Sequence, residues 1–111
     1  MFRELGQLAG LMGKLPKIRE EMEKMQGRLA ELTAEGNAGG GMVTVKVNGK
    51  FTVIGCKVSD EALQDRELLE DLIVAATNQA IDKARQLAAS EASKMASELG
   101  LPAGMNLPGL T

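Results

Sequence analysis

Eight apolar residues near the start of the chain keep a strict beat. Leu8, Leu11, Leu15, Ile18, Met22, Met25, Leu29 and Leu32 recur at alternating spacings of 3 and 4. A 3.5-residue repeat holds these side chains on one seam of a helix, and such a seam requires a helix packed lengthwise against it. The residues between (REE, EK, QGR, AE) form a solvated face. Pro16 falls inside the pattern, where it removes a backbone donor and crowds the preceding turn. The expectation is a frayed or kinked first segment and a firm helix over residues 16–32.

The glycine-rich stretch GNAGGGMVTVKVNGK, residues 36–50, invites comparison with a phosphate-binding loop. Such a loop needs Ser or Thr after its Gly-Lys pair, and a helix opening at the anion. Here Phe51 follows Gly49-Lys50, and Thr44 stands where the first loop glycine belongs. The run leads instead into alternating Val43, Val45 and Val47, the period of a half-buried strand. Asn48-Gly49 then signals a two-residue hairpin turn. That turn pairs Val47 with Lys50, Val45 with Thr52 and Val43 with Ile54. It puts Ile54, Cys56 and Val58 on the buried face with the valines, and Phe51 and Val53 on the other. Residues 33–37 add a short third strand.

The remainder reads as helix. Ser59 caps a short turn through Leu63, and Asp65 caps a longer helix beginning at Arg66. Leu69, Leu72, Ile73, Ala76, Ala80, Ala84, Leu87 and Ala88 form one stripe at helical spacing, whose alanines permit close packing. Gly100 and Pro102 stop the helix after Leu99. The 111 residues fit one domain: a helical arm over 1–32, a sheet over 33–58, a helical region over 59–99 and an irregular tail over 100–111.

Composition narrows the chemistry. Histidine is absent and Cys56 is the single cysteine, so the usual general base and the commonest metal ligand are both missing. Cys56 reads as a small core residue. Glu67, Glu70 and Asp71 suit the positive end of a helix dipole and would offer at most a weak hard-cation site. The expectation is no enzyme, no metal, no cofactor and no small-molecule substrate. The opening residues make a poor signal peptide, and no apolar run is long enough to span a membrane, so a cytoplasmic protein is expected.

The net charge of −2 is unevenly spread: +1 over residues 1–32, +2 over 33–58 and −5 from Ser59 onward. The segment GKLPKIR carries Lys14, Lys17 and Arg19 with no acid among them. Arg3 precedes it and Arg28 follows on the same helix. Such a segment is ordinarily a solvated face. Nucleic acid is the alternative partner, favoured if the chain dimerises, because two copies would then face one duplex together.

With those residues in view, the chain resembles the YbaB/EbfC family of nucleoid-associated proteins along nearly its whole length. The resemblance rests on MFRELGQLAGLM, the Met-rich heptad helix, GNAGGGMVTVKVNG, KVSDEAL and DRELLEDLIVAATNQA. It implies an α+β fold of helix, three-stranded antiparallel sheet and long helix, assembled as a tweezer-like homodimer. It also implies binding of double-stranded DNA in the bacterial nucleoid without enzymatic activity. On that reading Lys14, Lys17, Arg19, Arg3 and Arg28 are the DNA-binding candidates by charge and position. Phe51, Val53, Met22 and Met25 are the candidates for the dimer contact. The rival reading is a protein-interaction module that docks through the heptad helix. A carboxylate-metal hydrolase is a weaker third.

Overall fold

The heptad seam lies on one helix, α1 (Phe2–Glu31), which runs through Pro16 without a break. The computed structural model describes residues 2–100. Residues 1 and 101–111, together with the side chains at 2–5, 7, 8 and 11, lie outside the described residues, and with them Arg3's side chain and nearly all of the expected tail. The firm helix expected from residue 16 is present, and it is continuous with the segment before it. Pro16 sits on an exposed part of α1, where the carbonyl it leaves unpaired can be solvated.

Three antiparallel strands follow in the order β1-β2-β3: β1 (Thr33–Ala38), β2 (Val43–Asn48) and β3 (Val53–Val58). A short helix, α2 (Asp60–Leu63), leads to the long helix α3 (Arg66–Glu98). The α+β order read from the sequence is the observed one. Both caps are in place: Ala62 N–H donates to Ser59 Oγ at 3.3 Å, and Leu68 N–H donates to Asp65 Oδ1 at 3.1 Å. Gly100, with φ of 68°, closes α3 as a left-handed residue.

Two cores hold the elements together. In the first, α3 lies across β1 and β2, burying Ala76, Ala80 and Ala84 against Ala34, Val43, Val45 and Val47. The approach is so close that a Cβ on Gly36 would collide with the Ala76 carbonyl oxygen. A helix backbone can come this near a strand only where both present small residues. In the second core, the far half of α3 runs beside α1. There Met25 and Leu29 are buried with Ala88, Met95 and Leu99, and Ile18, Met22 and Leu32 pack at the edge. The partner demanded by the seam is therefore α3 of the same chain, from Ile18 onward. Above that level Leu15 and Met12 are 52% and 62% exposed.

Two expectations about the hairpin fail, for separate reasons. The turn is longer than two residues: Val47 pairs with Val53, and Asn48 N–H donates to Thr52 O at 2.9 Å. Asn48 organises it by side chain, its Oδ1 accepting from Lys50 N–H at 2.9 Å and Thr52 N–H at 3.1 Å. Gly49 serves another purpose. Its N–H donates to the carbonyls of Leu29 and Leu32, both at 2.9 Å, and a Cβ would stand 2.7 Å from Leu29 O. The glycine docks the hairpin onto the end of α1, and the positive φ falls on Phe51 instead, at 64°.

The second failure is Cys56, which is exposed and not a core residue. Register pairs Val45 with Cys56 and Val43 with Val58, so Cys56 and Val58 share the valine face as expected. It also pairs Val47 with Val53 across a strand irregularity, which brings Val53 to the face opposite the one expected. What fails is cover. α3 packs over β1 and β2, and β3 is an edge strand lying beyond it. Phe51, Val53 and Ile54 are 50%, 51% and 49% exposed, which leaves an apolar strip along that edge.

Candidate nucleic-acid interface

The basic segment of the arm is fully presented to solvent. Lys14, Lys17 and Arg19 are exposed and make no ion pair among the described residues. Helical geometry divides them: at about 100° per residue, Lys14 and Lys17 share a face, while Arg19 lies about 140° around from Lys14. Arg19 borders a shallow groove lined also by Leu15, Ile18, Met22, Glu23 and Gln26. The arm thus carries cations on two sides.

Two further basic residues of α1, Lys24 and Arg28, are engaged. Lys24 reaches Glu20 and Glu21, each at 3.5 Å, and these carboxylates, Glu21 foremost, raise its pKa above the ordinary lysine value. Arg28 Nε donates to Glu91 Oε2 at 3.1 Å, and Glu91, whose side chain is 12% exposed, also lies 3.7 Å from Lys94 Nζ. Arg28 is a clamp between α1 and α3. Arg3 belongs to the first turns of α1, with its side chain outside the described residues.

The dimer candidates also separate. Phe51 and Val53 stand on the exposed β3 strip, joined there by Ile54 and Cys56, which alternation alone had assigned to the core. Met25 is fully buried inside the chain and Met22 is half-buried beside it, so these two serve the α1–α3 contact. The remaining polar clusters are simple. Among the described residues no three His, Cys, Asp or Glu side chains gather as a metal site would require. No helix among them is long and apolar enough to cross a membrane.

The described residues thus define a class of molecule, a helical arm with exposed basic residues carried on a small α+β body. Comparison with known proteins gives the class its name. Residues 5–99 match the YbaB/EbfC DNA-binding family. A nucleoid-associated protein of Granulibacter bethesdensis is 48% identical, the match covering 91% of this chain and 96% of that protein. One from Rhizobium meliloti is 42% identical with the same coverage, and one from Bacillus cereus is 43% identical over 91% and 94%. The crystal structure of an uncharacterized Helicobacter pylori protein superposes with a TM-score of 0.70 at 24% identity, covering 77% of this chain and 91% of that one. The last shares the fold. The chain belongs to the YbaB/EbfC DNA-binding family, a family of nucleoid-associated proteins and not of enzymes.

Proposed function

We propose that this chain, acting as a single domain, forms a homodimer in the bacterial cytoplasm, binds duplex DNA mainly through phosphate contacts, and helps organise the nucleoid or influence gene expression. The observation that carries the reading is the solvent-facing trio Lys14, Lys17 and Arg19, unpaired among the described residues, on the arm of a family member. The exposed strip at Phe51, Val53, Ile54 and Cys56 supports the dimer. A free, partly apolar edge strand is a liability in a small soluble protein unless something covers it. The rival reading, docking through the heptad helix, loses ground because Met25 and Leu29 already spend that seam on α3.

Salt dependence tests the phosphate contacts. Cations that bind phosphates release counterions, so affinity falls linearly in log salt with a slope near −0.9 per contact. With two lysines in each of two subunits, Lys14→Ala/Lys17→Ala should flatten the slope by up to roughly 4. Arg19→Ala, on the other side of the helix, should add up to roughly 2 more. The loss should be alike for unrelated DNA sequences, since phosphate contacts position a protein without reading bases. Folded variants that keep the wild-type slope would remove the arm from the interface.

A further inference from the structure

The sheet has a second face, turned away from α3. The residues that alternate with the buried ones occupy it. Register sets Glu35, Lys46 and Gly55 in one row across this face and Asn37, Thr44 and Lys57 in the next. Neither row holds a large apolar side chain. A Cβ on Gly55 would meet only the Lys46 Cβ, at 3.8 Å, so the surface there is flat and open. The Thr44 hydroxyl donates to Asn37 Oδ1 at 2.7 Å.

The charge on this face is positive. Lys46 Nζ lies 3.7 Å from Glu35 Oε1, with the two side chains 46% and 53% exposed. Lys57, and Lys50 in the loop beyond β2, make no ion pair among the described residues. Lys46 and Lys57 are diagonal neighbours on adjacent strands, about 7–8 Å apart at the backbone. A flat, polar surface with excess lysine and no apolar centre is unlike a protein–protein contact, whose core is apolar and poor in lysine. It matches a phosphate backbone, which is bound by lysine, hydroxyl and amide donors. We propose that the outer face of the sheet, through Lys46 and Lys57 with Lys50 at its margin, is a second contact surface for the phosphates of duplex DNA. This inference rests on the DNA-binding reading above. Glu35 has a defined part in it: an exposed ion pair is weak, so Glu35 competes with phosphate for Lys46 without blocking it.

Two variants with opposite expected signs test the proposal, each titrated with a duplex of unrelated sequence at salt from about 50 to 200 mM. Lys46→Ala/Lys57→Ala should flatten the salt slope by up to roughly 2 per subunit. Glu35→Gln should tighten binding on the order of threefold at low salt, the weight of about one phosphate contact over that range. A gain in affinity cannot come from misfolding, and melting curves check the lysine variant. A wild-type slope in the lysine variant, or unchanged affinity in Glu35→Gln, overturns the second surface. If either occurs while Lys14→Ala/Lys17→Ala still flattens the slope, DNA binding through the arm stands without the sheet. Wild-type protein that shows no salt-dependent binding takes down both.

Discussion

Replacing Phe51 by asparagine separates what the hairpin needs from what a second copy needs. Phe51 is the only non-glycine residue with positive φ among the described residues, at 64°. Left-handed backbone costs an L-residue about 1–2 kcal/mol, and asparagine is among the residues that visit it most readily. Phe51→Asn should therefore stabilise the loop by about 1 kcal/mol. Packing opposes this. The residue is 50% exposed, so roughly half the value of a fully buried phenylalanine, about 1 kcal/mol, is lost. The two terms offset, and the stability of the dilute protein should change by less than about 1 kcal/mol. In a symmetric dimer the exposed half contributes again, about 1 kcal/mol in each copy. Losing about 2 kcal/mol weakens the dimer roughly thirtyfold. Sedimentation over a concentration series reads the dimer Kd, and denaturant unfolding at the lowest concentration reads the monomer. A Kd within about threefold of wild type would take Phe51 out of the interface. A monomer destabilised by about 2 kcal/mol or more would show that the left-handed backbone stores no strain worth relieving.

Two further outcomes follow from the packing. Cys56, exposed on β3, should react with a thiol reagent in dilute native protein within about tenfold of its rate in denaturant, and more slowly as concentration drives dimer formation. Labelling that is slow at every concentration would mean β3 is covered within the monomer after all. Gly36→Ala should destabilise the fold by on the order of 3 kcal/mol or more, read by thermal or denaturant unfolding, because the added methyl strikes helix backbone that cannot turn aside. Wild-type stability there would contradict the close crossing of α3 over β1.

What the sequence disclosed, and what it hid, follows from the range of each interaction. The Val43/Val45/Val47 alternation and the seam from Ile18 to Leu32 are local patterns, and both faces they mark are buried as expected. The caps Ser59 and Asp65 act within one turn and were equally legible. Cys56 was misread because alternation reports which side of a sheet a residue occupies, not whether a helix reaches that far across it. Gly49 was misread because a glycine has two uses. Here the missing side chain admits Leu29 rather than permitting a left-handed turn. Among the candidate cations, Arg28 looked as free as Lys17 until folding brought Glu91 to it from 63 residues away. The lysines of the outer sheet face were visible as the +2 of residues 33–58, yet only register shows that Lys46 and Lys57 share one surface.

An acidic chain can hold DNA when its charges lie far apart on a long body. The molecule extends 70 × 23 × 16 Å. Asp60, Glu61, Asp65, Glu67, Glu70 and Asp71 gather on α2 and the first turns of α3, at the end of the sheet where Ser59 N–H donates to Met42 O. The opposite end of the sheet, at Gly49, meets α1 at Leu29 and Leu32. From Leu29 back to Lys17 is about 18 Å along the helix, and each strand adds about 20 Å more. The separation is several times the screening length of about 8 Å at physiological salt. A phosphate beside the arm therefore feels Lys14, Lys17 and Arg19 and almost nothing of the acidic end. The same carboxylates repel any duplex that approaches α2 and weaken the pull of Lys57 beside them. On the proposed reading, the arm and the end of the outer sheet face nearest it, at Lys46 and Lys50, are therefore the favoured side. The net charge of −2 says little about such a molecule, because the sign that a duplex meets depends on where along its length it arrives.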